Sequence, residues 1–398
     1  MCSSDLFSGN YADYTFSQSD SFVPLITNNA TNQVVSLYDV EQLQFDDGVA
    51  ELSITGGGEF QINNESTSAS YGEHRPSVAT LNNGGFVFTW ESYGQDSDLN
   101  GIFAQIYDAN GVRSGNEFQV NTYTTEDQWR SSVTALNDGG FIITWFSSGQ
   151  DGDAWGIYAQ RYDANGTTQG SEFLVNTHTE GSQARPDIAT LANGDFVITW
   201  FSYGQDGSGN GVYAQMYNAD GTAQGGEFLV NTAVTDDNSQ PSITALNNGG
   251  FVITYRSVSF NDQYYDIRAQ MYNADGTTSG SEFLVNTYTM DAQLRPNIDT
   301  LSDGDFVITW FSYGQDGSGY GVYAQMYNAD GTAQGNEFHV NTATTVDNQK
   351  RPSITALNDG GFVISWASGG SSRGAYAQIY DADGNAVEIG RASGRERV

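Results

Sequence analysis

The chain has 398 residues, with 14 Lys or Arg against 48 Asp or Glu, a formal net charge of −34. A single Lys (Lys350) leaves no cationic face of the kind phosphate recognition needs, so nucleic acid is excluded as a partner. One Cys excludes a disulfide framework and a Cys-based zinc site, no apolar run of ~18 residues exists for membrane insertion as a helix, and 22 Phe, 23 Tyr and 7 Trp argue against disorder.

In chain order, the ends stand apart first. Residues 1–6 and 389–398 resemble translated sequencing-library adapters, and the second stretch holds three of the 13 Arg. Both are expected to be artefacts, leaving 7–388 as part of a longer chain. Residues 7–58 carry Tyr14-Thr15-Phe16-Ser17 and a second strand-like run at 36–45, and read as the end of an upstream β module. From residue 59 the chain repeats. Glu-Phe begins at Glu59, Glu117, Glu172, Glu227, Glu282 and Glu337, in steps of 58, 55, 55, 55 and 55. Trp90, Trp145, Trp200, Tyr255, Trp310 and Trp366 follow the same beat.

Each repeat contains four strand-like runs. In the third they fall at 187–191, 196–200, 211–217 and 227–231, rich in β-branched and aromatic residues. Ala-Asn-Gly at 192–194 and Asn-Ala-Asp-Gly at 218–221 supply turn glycines between them. No capped helical period is present. The predicted fold is all-β: a β-propeller of six four-stranded blades over 59–388, built on a repeat of about 55 residues and preceded by a small β segment. More blades are expected if the array is truncated at 388. The fourth-strand motif at 59–63 is expected to pair with the last third strand at 374–380, closing the ring and removing its edge.

The stretch Tyr38-Asp39-Val40-Glu41-Gln42-Leu43-Gln44-Phe45-Asp46-Asp47-Gly48 resembles a segment found beside haemolysin-type calcium repeats in large secreted RTX-like bacterial proteins. The unit Gly-Gln-Asp-Gly-Ser-Gly-x-Gly-Val-Tyr-Ala-Gln at 204–215 resembles repeats in such proteins. This resemblance implies a segment of an extracellular or cell-surface adhesin. The nonapeptide signature Gly-Gly-x-Gly-x-Asp is absent, so the calcium cage of those repeats does not carry over.

Candidate sites come from repeated positions and from breaks in the repeat. Arg75, Arg130, Arg185, Arg295 and Arg351 share one position, with Gln240 in the fourth unit, and they are half of the ten Arg outside the tail. Strand direction places them with the longer loops, on the face where scaffolded repeats carry function. One reading is an anion site at the axis, since guanidinium forks suit oxyanions. The favoured reading is a set of Arg–Asp bridges between blades, because a ring of unpaired like charges repels itself. Asp96, Asp98, Asp151, Asp153, Asp206 and Asp316 lie on Gly-rich loops and are candidate ligands for calcium, the one cofactor considered. The fourth unit replaces this loop with one carrying Phe260, Asp262, Tyr264 and Tyr265; aromatics beside a carboxylate suit a sugar face, and the favoured alternative is a loop that has drifted under no constraint. His74, His178 and His339 sit at unrelated repeat phases and make no catalytic arrangement. The expected function is therefore non-catalytic: adhesion or ligand display toward an extracellular polysaccharide or a surface protein. A glycan-degrading domain and a structural spacer are the alternatives, and the enzyme requires a unique, partly buried acid pair.

Overall fold

The computed structural model describes residues 14–18, 24–28, 34–36, 42–45, 48–51, 60–63 and 73–387, apart from 259–263, 343–347 and 370–372. Strands Tyr14–Gln18, Pro24–Asn28 and Val34–Ser36 form a small antiparallel sheet, and Gln42–Phe45 pairs with Gly48–Glu51. No helix occurs among the described residues, so none is long and apolar enough to cross a membrane.

The repeats fold as six four-stranded antiparallel sheets, each in simple sequential order, arranged as the blades of a six-bladed β-propeller. The first strands are Glu73–Thr80, Gln128–Ala135, Gln183–Thr190, Asp237–Ala245, Gln293–Thr300 and Gln349–Ala356. Successive first strands touch, so they form the innermost layer around the axis. In blade three the remaining strands are Phe196–Tyr203, Asn210–Tyr217 and Ala223–Leu229. The fourth strand begins earlier than its hydrophobic run suggests, because the polar stretch before Glu227 already pairs with Met216 and Tyr217.

Period-two alternation explains why the strands are apolar on both sides. Phe196, Ile198 and Trp200 pack against Ile157, Ala159 and Val175 of blade two. Val197, Val212, Ala214 and Met216 point the other way, against Phe251, Ile253 and Tyr255 of blade four. Trp145, Trp200, Trp310 and Tyr255 are fully buried, which makes them core rather than a sugar platform. A second repeated contact joins the second and third strands within a blade and then reaches the blade before it. Phe141, Phe196, Phe251 and Phe306 stack on Tyr162, Tyr217, Tyr272 and Tyr327 at 4.8–5.1 Å. The hydroxyls of Tyr162, Tyr217 and Tyr327 donate to carbonyls of the preceding blade at 3.3–3.4 Å.

The two end blades differ from the expectation of closure by residues 59–63. Blade six has its own short fourth strand, Ala386–Val387, paired with Gly374–Tyr380. Residues 60–63 instead meet blade one: the Tyr107 hydroxyl donates to the Ile62 carbonyl, and the Arg113 guanidinium donates to the Gln61 and Asn63 carbonyls. Val78 on the outer face of blade one is 55% exposed, whereas its counterparts Val133, Ile188, Ile243, Ile298 and Ile354 are buried.

Candidate functional site at the propeller axis

The repeated Arg position lies within the first strand, at a β-bulge. The pairing register shifts there in every blade, for example between Ala184 and Asp187. Arg75, Arg130, Arg185, Gln240, Arg295 and Arg351 all have positive φ, between 50° and 57°, the left-handed region that non-Gly residues rarely adopt. Pro76, Pro186, Pro241, Pro296 and Pro352 follow directly in five blades. A bulge tolerates proline because no ladder donor is lost there. The extra residue re-aims its side chain, and the consequence is a common destination: all six line one axial pocket of about 450 Å³.

The expected Arg–Asp bridges do not form among the described residues. Among the described residues Arg75 alone of the ring has its guanidinium in an ion pair, and the partner is Glu91, at 3.3 Å. Glu91 is 2% exposed and also accepts the Arg130 backbone amide at 2.6 Å. It stands on the second strand, where the corresponding residues are Phe146, Phe201, Arg256, Phe311 and Ala367. Arg75 also lies over the Trp129 ring, 4.9 Å from its centroid. Burial first, then Arg75 and Arg295, hold the Arg130 guanidinium down at about 10. Burial, then Arg130 and Arg295, hold Arg185 down at about 9. Both remain cationic at neutral pH, so these shifts record repulsion and lost hydration rather than neutral side chains.

Below the ring, the first strands turn polar side chains inward. Asp187 lines the pocket. Its carboxylate accepts from the Ser132 and Ser242 hydroxyls at 2.8 and 3.0 Å and from the Ile243 and Ile188 amides at 3.0 Å. Desolvation pushes its carboxyl up from the ordinary range, against those hydrogen bonds. Asp187 keeps some contact with solvent through the pocket while lying deep in the molecule. The aligned positions hold Ser77, Ser132, Ser242, Asn297 and Ser353. On the first strand of blade five, two residues beyond Asn297, Asp299 accepts the Ala356 and Thr300 amides at 2.8 and 2.9 Å, and burial pushes it up as well. Glu91, Asp187 and Asp299 are thus acids that break the repeat near the axis. Sequence reasoning missed them because it followed what recurs. The available signal was an acid in one unit where the other five have none.

The loop acids lie elsewhere in the blades. Asp96, Asp151, Asp206 and Asp316 each accept an amide two residues ahead at 2.9–3.3 Å. Asp98 and Asp153 accept the Glu126 and Gly181 amides of the next link at 2.9 and 2.7 Å. Among the described residues no three His, Cys, Asp or Glu gather as a metal site. Oδ2 of Asp151, Asp206 and Asp316 is buried without a hydrogen-bond partner. Burial pushes the Asp96 carboxyl up. Of the fourth-unit loop, Phe260 and Asp262 lie outside the described residues. Tyr264 is exposed, while Tyr265 sits under Arg256, 4.6 Å from the guanidinium carbon. Exposed Tyr93, Tyr203 and Tyr313 close the second strands of blades one, three and five, where the alternate blades have Ser148, Val258 and Ser368.

No family model matches the sequence, and no curated protein does. Solved structures do match in fold. A protein of unknown function from Dyadobacter fermentans aligns with a TM-score of 0.55 at 13% identity, over 79% of this chain and 94% of that one. An α-L-arabinanase of Penicillium chrysogenum complexed with arabinobiose aligns at 0.53 and 14%, over 77% and 92%. The α-L-arabinofuranosidase of Fusarium graminearum in glycoside hydrolase family 93, with arabinobiose, aligns at 0.52 and 11%, over 77% and 92%. At such identities the likeness establishes the fold. It also corrects the expectation of a non-catalytic segment that is not an enzyme, because the propellers that this chain is similar to include glycan-cleaving enzymes. The physical reason for the error is that Asp187 and Glu91 acquire their surroundings only from neighbouring blades, which a single sequence does not display.

Proposed function

We propose that the chain is a glycan-degrading enzyme whose substrate sits at the mouth of the axial pocket, with Asp187 delivering the proton and Glu91 as the second carboxyl. Asp187 carries the reading. It is held in the pocket wall by four hydrogen bonds, and desolvation favours its protonated form at higher pH than for a surface Asp. Protonation of a glycosidic leaving oxygen needs such a group. Hydrolysis also needs a second carboxylate to work on the opposite face of the sugar. Glu91 has a different environment, fixed against Arg75 and the amide of Arg130, two residues that line the pocket. The exposed tyrosines on the loop-bearing face offer flat apolar surfaces for sugar rings.

The test is release of reducing ends from arabinan, xylan, polygalacturonate and sulfated polysaccharides. The expected result is cleavage of at least one, with Asp187→Asn and Glu91→Gln each lowering the rate by about 10²–10⁴-fold while near-ultraviolet circular dichroism shows the native fold. Cleavage unaffected by Asp187→Asn, or no cleavage of any glycan in the set, overturns the proposal.

A further inference from the structure

We propose that the axial ring is an oxyanion clamp, and that the glycan this pocket takes carries negative charge as carboxylate or sulfate along its chain. The inference deepens the proposed function and rests on the same pocket. Its ground is a charge imbalance confined to one place. Five guanidinium groups line about 450 Å³, and only Arg75 has a carboxylate partner among the described residues. The rest of the chain supplies abundant acids, with 48 Asp and Glu against 14 Lys and Arg, yet among the described residues no ion pair joins one to the guanidinium of Arg130, Arg185, Arg295 or Arg351. The two acids nearby, Glu91 and Asp187, accept hydrogen bonds from the Arg130 amide and from Ser132, Ser242, Ile188 and Ile243.

The backbone points the same way. Each ring residue occupies a left-handed conformation that costs about 1–2 kcal/mol for an L-residue. Strain of this kind persists where a side chain must be aimed. The fourth blade shows that the bulge itself does not require arginine, because Gln240 adopts φ 57° there and accepts the Arg295 amide at 3.1 Å. Planar guanidinium groups bind carboxylate or sulfate oxygens in pairs, are weakly hydrated, and cannot escape charge by deprotonation. A bound oxyanion offsets the repulsion among the guanidinium groups. A neutral glycan leaves it in place.

Calorimetric titration separates the cases, with inorganic sulfate, an oligogalacturonate, a sulfated oligosaccharide and a neutral arabino-oligosaccharide of equal length as probes. At least one charged oligosaccharide is expected to bind at least tenfold more tightly than the neutral one, and its binding should weaken as sodium chloride is raised. Whether the carboxylated or the sulfated probe binds better identifies the source of the oxyanion. Arg185→Gln and the double variant Arg130→Gln/Arg185→Gln copy the residue that blade four already carries. They should weaken charged-ligand binding at least tenfold and raise or preserve the melting temperature. Equal binding of the neutral probe, or unchanged binding of the charged probes by the double variant, overturns the clamp. Binding and cleavage fail separately. Charged glycans bound without release of reducing ends leave the clamp standing and remove the hydrolase reading. Arabinan cleaved with no binding of any charged probe does the reverse.

Discussion

One correlated exchange shows how closely single residues in this repeat depend on each other. The second residue of the third strand is Gly101, Gly156, Gly211 or Gly321 in blades with a loop Asp. None of these glycines has positive φ, so the requirement is room rather than backbone freedom. A Cβ at Gly156 would meet Asp151 Oδ2 at 2.5 Å, and one at Gly321 would meet Asp316 Oδ2 at 2.9 Å. Blade four has Asn261 in place of the loop Asp, and the glycine position holds Asp266. Its Oδ1 accepts Asn286 Nδ2 at 2.8 Å, where Asp96 Oδ2 meets the equivalent Asn121 at 3.5 Å. In blade four the carboxylate stands on the strand instead of the loop and holds the amide that Asp96 approaches in blade one. Gly156→Ala should therefore lower stability by about 1–3 kcal/mol through overpacking. Asp151→Asn with Gly156→Asp, which copies blade four, should recover most of what Gly156→Asp alone loses. Denaturant titration of the three variants measures this, and a double variant no better than Gly156→Asp would refute the exchange.

At the scale of the strand, the bulge decides what the first strands present to the axis. Arg185 combines positive φ with a desolvated charge among like charges. Replacing it with Gly removes ~1–2 kcal/mol of left-handed strain and returns about 0.5–1 kcal/mol through the freer unfolded chain. Arg185→Gly should thus be neutral to stabilising by about 1 kcal/mol, against the usual sign for a Gly within a strand. A thermal melt showing clear destabilisation would mean that the guanidinium has a structural partner. This element also marks the limit of legibility. The blade was readable because Trp200, Ala214 and Phe228 recur at a fixed interval and alternate within strands. The shared Arg position was readable for the same reason. Its partners were not, because a bulge redirects the side chain without leaving a residue-type signature beyond the following Pro. Asp187 was read only as the start of a strand, since its meaning depends on Ser132 and Ser242, each 55 positions away in neighbouring blades.

For the whole molecule, acids of opposite environment set the response to pH. Asp187 and Asp299 have folded values raised by burial. Their contribution is complete below the unfolded value near 3.8 and is lost as pH rises through the folded value. The turns after the third strands act in the other direction. Asp108, Asp163, Asp220, Asp275, Asp330 and Asp381 are held down, chiefly by hydrogen bonds from the backbone or side chains of their own turns. Their contribution is present above 3.8 and is lost as pH falls through the folded values below it. A net charge of −34 adds self-repulsion at neutral pH that protonation relieves. Above the unfolded carboxylate value the buried acids and the self-repulsion act in the same direction while the turn acids are constant, and below it the turn acids act against stability. The melting temperature should therefore rise as pH is lowered from neutrality toward the unfolded carboxylate value of 3.8, and fall below it as the turn carboxylates protonate. Asp187→Asn should flatten the upper limb, because the amide cannot take up the proton, and leave the acid collapse in place. A steady fall in melting temperature from pH 7 to 5 at constant ionic strength, or an upper limb unchanged in Asp187→Asn, would show that the buried acids do not govern this range.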